Sequence, residues 1–278
     1  MEKKLGVEIE FTGVTRQEVV TALEYLFNTE AIKEQSKTTD DKYFYHKIKD
    51  NYGGTWLVVR DKSIKPQYYQ RRFLKEDLCD RFEVTDSTST DYMVELVSPA
   101  LNSKSLPLLF TIVDIIKSLG GIVNSSCGIH IHIDKPDNYN DIVDLFKKFC
   151  LEQDNILQFF DVAPWRLEKY CKPYDLSLLD KDIFTDEKDF LNSIFRAYAE
   201  VDESTGTIIK RTSRYYALNF YSLRQHNTIE FRLFNSSLNR VEIAKILDWV
   251  LHFVYTYEDY SSYIPVLGSI LMNELKEE

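Results

Sequence analysis

Val7, Ile9 and Phe11 alternate with Glu8 and Glu10, a period of two that predicts a strand with one apolar and one acidic face. The same period recurs at Gly128–Asp134, where Ile129, Ile131 and Ile133 alternate with His130, His132 and Asp134. It recurs again at Thr228–Phe234, where Ile229, Phe231 and Leu233 alternate with Glu230 and Arg232. Helical spacing replaces it elsewhere. Thr15, followed three residues later by Glu18, forms a capping box ahead of Val19, Val20, Leu23, Leu26 and Phe27, which predicts a helix near 16–28. Leu106–Leu119 ends on Gly120-Gly121, the usual glycine stop. Asp141–Phe160, a segment around Asp189–Tyr198, and one from Asn239 through Tyr255 read as further helices.

Lys42–Lys49 alternates Tyr43, Tyr45 and Lys47 against Phe44, His46 and Ile48, and the turn signals Asn51–Gly54 join it to Thr55–Val59 as a hairpin. Tyr92–Val97, stopped by Ser98-Pro99, and Tyr215–Tyr221 read as strands. Residues 62–91 are polar and rich in Tyr and Arg, and are expected to form a loop with a short strand at Arg81–Thr85; Gly206 marks a turn. Neighbouring strands lack crossover helices, so the expected fold class is α+β with a largely antiparallel sheet.

Composition narrows the function. The 278 residues are 44% hydrophobic and 14% aromatic, enough for a large core, which excludes the natively disordered class. With neither linker nor repeat, one domain over 1–278 is expected. The net charge of −10 argues against a sequence-independent hold on nucleic acid or on an anionic membrane. Leu106–Ile116, among the longest apolar runs, contains Pro107 and Asp114 and is too short to span a bilayer. MEKKLGVEIEF does not read as a signal peptide. Cys79, Cys127, Cys150 and Cys171 form no CxxC pair, so reduced thiols in a cytoplasmic setting are expected. The Walker P-loop, GxGxxG, GxSxG and HExxH are all absent.

A single strand with a polar face is ordinarily a solvated one. Three strands carrying paired Glu, paired His and a Glu/Arg pair point instead to a shared site. Carboxylates with one or two imidazoles suit Mg²⁺ or Mn²⁺, while His-x-His is also a zinc pattern. Arg232, with Arg214 and Arg224 upstream, favours a ligand bearing several negative charges, such as a triphosphate.

GVEIEF at 6–11, WLVVRDKS at 56–63, ELVSPAL at 95–101, CGIHIHID at 127–134, RYYALNF at 214–220 and TIEFRLFNSSLN at 228–239 resemble, in order, the motifs of the amidoligases. That family is related to glutamine synthetase and glutamate–cysteine ligase. The resemblance implies an antiparallel sheet whose concave face holds ATP through divalent metal ions, with helices on the other face. It implies Glu8, Glu10, Glu95, His130 and Glu230 as metal ligands. Arg232, Arg214, His132 and Arg224 would meet the nucleotide, and Arg214, Arg232 and His132 would act in catalysis. Glutamine synthetase has a further close-spaced Glu, for which Glu83 is the nominee. Lys62 stands where the family has glycine, which bears on the role of Asp61. Cys127 is expected as a buried thiol, and His46 and His226 as surface residues. One of Tyr68-Tyr69 and Tyr215-Tyr216 is a candidate to stack on adenine.

The expected function is an ATP- and Mg²⁺- (or Mn²⁺-) dependent ligase joining a carboxylate to an amine, as a possible homo-oligomer. A zinc-dependent hydrolase using His130 and His132, and a non-catalytic nucleotide- or metal-binding module, stand as alternatives.

Overall fold

The alternation at the N-terminus becomes β1 (Leu5–Phe11), which buries Leu5, Val7, Ile9 and Phe11 completely or nearly so. The computed structural model describes residues 3–36, 43–74, 79–180, 186–197, 199–201, 208–211 and 214–274. The chain packs as two compact units, residues 1–129 with 236–278, and residues 130–235.

In the first unit β1 is followed by α1 (Arg16–Phe27), β2 (Ile32–Gln35), β3 (Phe44–Lys49), β4 (Thr55–Val59), β5 (Gln67–Leu74), β6 (Cys79–Asp86), β7 (Val94–Val97) and α2 (Leu106–Ser118). Its sheet runs β1-β7-β4-β3-β2, every pair antiparallel, as the lack of crossover helices predicts. The α1 cap forms as expected, Glu18 Oε2 accepting the Thr15 N–H at 2.7 Å while Thr15 Oγ1 accepts the Glu18 N–H at 3.3 Å. Val19, Val20, Leu23 and Phe27 are the apolar stripe that α1 buries, and α1 packs on β3 and β4. Asp50 sets the β3–β4 turn. Its Oδ1 accepts the N–H groups of Tyr52 and Gly54 at 2.8 Å, and its Oδ2 accepts the buried Trp56 indole N–H at 2.9 Å.

Two expectations change here. Residues 67–74 and 79–86 are antiparallel strands, β5 and β6 pairing over their whole length from Gln67↔Asp86 to Leu74↔Cys79. β6 contains the short strand expected at Arg81–Thr85, where Phe82 and Val84 alternate with polar residues, whereas β5, QYYQRRFL, lacks the alternation by which a half-buried strand is recognised. The strand expected at Tyr92 starts at Val94, because Thr90–Tyr92 is a single 3₁₀ turn capped by the Ser89 hydroxyl. Arg16 holds that turn, donating to the carbonyls of Thr90 and Met93 and to Asp91.

β8 (Gly128–Asp134) enters the second unit at His130. There follow α3 (Tyr139–Phe159), α4 (Pro164–Lys169), α5 (Glu187–Ala197), the paired β9 (Ala199–Val201) and β10 (Ile208–Arg211), β11 (Leu218–Asn219), α6 (Ser222–His226) and β12 (Thr228–Asn235). β12 lies between β11 and β8. The core here is aromatic, Phe146 meeting Tyr174, Phe190 and Phe220 edge-on and Phe149 meeting Phe231. The strand expected over Tyr215–Tyr221 shortens to β11, since Asn219 Oδ1 accepts the Tyr221 N–H and the chain turns into α6. Tyr198 and the Gly206 turn lie outside the described residues.

The chain returns to the first unit with α7 (Arg240–Val254), α8 (Tyr257–Tyr260) and α9 (Ile264–Glu274). α7 packs on α2 and α9, and the buried Tyr263 hydroxyl donates to the carbonyl oxygen of Leu101 at 2.9 Å. Among the described residues no helix is long and apolar enough to cross a membrane.

Candidate functional site

β1 and β7 pair so that Glu10 stands directly opposite Glu95. Glu10 is 3% exposed and Glu95 half-buried, so the acidic face of β1 is not a solvated one. Asp61, just past the end of β4, completes the group: one oxygen from each of Glu10, Asp61 and Glu95 lies within 4.8 Å of the others. Glu10 is held in place by Gly128, whose N–H donates to its Oε2 at 2.6 Å, and by Ser236, whose hydroxyl donates to its backbone carbonyl. Asp61 Oδ1 accepts the Ser63 N–H at 2.6 Å. Lys62 between them keeps a negative φ, so this turn makes no demand for the family's glycine. An all-oxygen donor set of this kind matches a hard divalent cation such as Mg²⁺ or Mn²⁺.

Tyr43 borders this group. Burial pushes its phenol above the usual tyrosine range, and the charges of Glu95 and Asp61 push it the same way. The guanidinium of Arg60 lies 5.1 Å over its ring. Glu8 is half-buried two residues before Glu10, on the same face of β1.

In the second unit Glu230 is the hub. It is 4% exposed, as is His130, while His132 and Arg232 are half-buried. Glu230 Oε1 accepts from Arg232 Nη1 at 2.5 Å and lies 3.5 Å from His130 Nδ1 and 4.0 Å from His132 Nε2. Its Oε2 accepts from the amide of Asn219 at 2.6 Å. His132 Nδ1 sits 2.9 Å from the Thr228 hydroxyl, and the His226 ring meets His132 edge-on at 6.2 Å. Glu230 and Arg232 are therefore an ion pair, not two independent groups on one face. The buried Arg166 donates to the carbonyl oxygen of Arg232 at 3.2 Å.

Four of these participants escaped sequence reasoning. Asn219 reaches Glu230 through the β11–β12 register, in which the two are direct partners. Thr228 and Arg166 meet the cluster through tertiary packing, and His226, exposed as expected, touches it through His132. Asp61, not Glu83, is the acid that joins Glu10 and Glu95; Glu83 is exposed on β6, opposite Gln70. Arg214 is exposed, its guanidinium 4.7 Å over the ring of Tyr215, and Arg224 is exposed on α6. Cys127 is buried as expected. His46 is not on the surface: it is 9% exposed, and burial lowers its pKa from the ordinary imidazole value.

A family model described as putative amidoligase enzyme matches residues 1–254. No curated protein and no solved structure matches the chain.

Proposed function

The chain belongs to the putative amidoligase family, and on that premise we propose that it is an ATP- and Mg²⁺-dependent ligase joining a carboxylate to an amine through an acyl phosphate. In the first half-reaction a substrate carboxylate oxygen attacks the γ-phosphorus, and the bond to the β–γ bridging oxygen breaks to release ADP. In the second the neutral amine attacks the acyl carbon, and inorganic phosphate leaves as the amide forms.

Each unit carries groups suited to this chemistry. Glu10, Glu95 and Asp61 would hold the divalent cation, whose charge offsets that of the phosphates. Arg232 offers planar, permanently charged donors to a phosphoryl group, and Glu230 with Asn219 fixes where those donors point. His132, steadied by Thr228, is placed as a further donor. A zinc site formed by Glu230 with His130 and His132 would compete with Arg232 and Asn219, which engage both Glu230 oxygens.

The observation that carries the reading is the in-register pair of the buried Glu10 and the half-buried Glu95, with Asp61 alongside. The experiment is ADP release measured by a coupled assay against panels of acids and amines, with Mg²⁺, with Zn²⁺ and with chelator. ADP formed only with Mg²⁺ or Mn²⁺ and both co-substrates is the expected result. Bond cleavage without nucleotide, driven by Zn²⁺, would overturn it.

A further inference from the structure

The loop after β1, the start of α1, the strands β5 and β6 and the C-terminal end of α2 line an open cavity of about 510 Å³ in the first unit. That is the size of a small-molecule pocket. Its walls are unusually aromatic: Tyr68 stacks on Tyr92 with ring centres 5.6 Å apart, and Tyr69 and Phe82 remain 45% and 65% exposed. Gly13 and Gly120 line it in the left-handed region, at φ +90° and +97°. A Cβ on Gly13 would come within 2.5 Å of the Gly120 carbonyl oxygen, so the two backbones can meet there only without a side chain.

Among the described lining residues the one formal charge is the carboxylate of Glu18. The capping box fixes its position, Oε2 accepting from the Thr15 N–H at 2.7 Å and the Thr15 hydroxyl at 2.8 Å. Aromatic faces and a carboxylate repel anions and attract a cation. We propose that this cavity binds an alkylammonium group of the amine substrate.

This deepens the ligase reading and rests on it for the word substrate. An ammonium must lose a proton before it can attack an acyl phosphate, and ring faces with a carboxylate favour the charged form, so the nitrogen held here is not the attacking one. The substrate therefore carries two amines, one held as a cation and one delivered neutral to the reaction. Gly13 lies three residues beyond Glu10 along the same extended segment, about 10 Å at ~3.3 Å per residue. A free diamine and a basic amino acid share this chemistry.

Titration calorimetry on the full chain tests it with cadaverine and with lysine amide, which separate the two sources, and with valerate and pentanol as anionic and neutral controls. One or both amines should bind and the controls should not. Glu18→Gln keeps the capping box, which accepts Gln at this position, and should weaken the bound amine roughly fivefold or more; Tyr69→Leu should do the same. Thermal unfolding confirms that both variants fold. Glu95→Gln should lose ADP release and retain amine binding, so an inactive wild type that still binds cadaverine would sink the ligase reading and leave the cavity's role intact. No amine binding, equal binding of valerate, or affinity untouched by both cavity substitutions would overturn the proposal.

Discussion

Glu10 and Glu95 occupy the same rung of the β1–β7 ladder, two carboxylates facing each other across an antiparallel pair. Like charges directly opposite destabilise a sheet, and burial raises the cost further. Asp61 adds a third acid within 4.8 Å. A sheet selected for stability alone would place Thr or an opposite charge on one side of that rung. The arrangement makes sense when a cation sits among the oxygens.

Metal binding should therefore be visible in stability without any substrate. Mg²⁺ or Mn²⁺ should raise the unfolding temperature of the wild type, by about 2.7 kcal/mol of stability at a hundredfold excess over Kd. Glu95→Gln relieves the repulsion, so it should be at least as stable as wild type without metal and should lose most of the metal-dependent gain. Differential scanning fluorimetry of both proteins across a Mg²⁺ series checks this. An unchanged gain in Glu95→Gln would remove Glu95 from the site.

The same rung shows what a sequence reveals. Glu10 was legible because its neighbours alternate within one strand, and so were His130, His132, Glu230 and Arg232. Asp61 was harder, because its place beside Glu10 depends on where β4 ends relative to two other strands, which no local pattern encodes. Asn219 depends likewise on the β11–β12 register. The cavity joins Tyr68 to Tyr92 across 24 residues of sequence. His46 is instructive in the opposite sense. Its alternation with Tyr45 and Lys47 already placed it on the face of Ile48, and that face is buried in the structure.

His46 should make stability depend on pH. Burial lowers its pKa below the ordinary 6.5, Lys33 and Arg16 add to the effect, and Glu24 opposes it. The unfolded chain then binds the proton first as pH falls, so this stability is present above about 6.5 and is lost as pH drops through the folded value. Urea unfolding at pH 7.5, 6.5 and 5.5 should show a decline that is shallower in His46→Leu. Parallel declines in the two proteins would place the titrating group elsewhere.

The thiols of Cys127, Cys150 and Cys171 should be inert in the folded protein. All three are buried and in no disulfide, and burial pushes Cys150 up to about 12 and raises Cys171 as well. Ellman's reagent at pH 8, with mass-spectrometric mapping, should leave these three unmodified until denaturant is added. Cys127→Ser should cost some packing and leave turnover within a few-fold. Rapid native labelling of Cys127, or a folded but inactive Cys127→Ser, would bring back a covalent mechanism.

The ion pair of Glu230 and Arg232 should make their substitutions non-additive. Arg232→Lys keeps the charge and loses the planar fork, so it should lower kcat by ~10²–10³ with a smaller change in KM, the pattern of a donor used mainly in the transition state. Glu230→Gln keeps the shape and the Asn219 contact side, yet releases the Arg232 guanidinium from the oxygen that orients it at 2.5 Å. It should therefore lower kcat by the same route, and excess Mg²⁺ should restore little of it. The double variant should cost hardly more than the worse single one, a coupling within the 0.5–3 kcal/mol seen for residues in contact. If Glu230 instead ligates metal while Arg232 meets phosphate independently, Mg²⁺ would rescue Glu230→Gln and the two losses would add. Steady-state kcat and KM for the three variants across a Mg²⁺ series decide between these outcomes. Additive losses would mean that the close approach of Arg232 to Glu230 is not kept in the working enzyme.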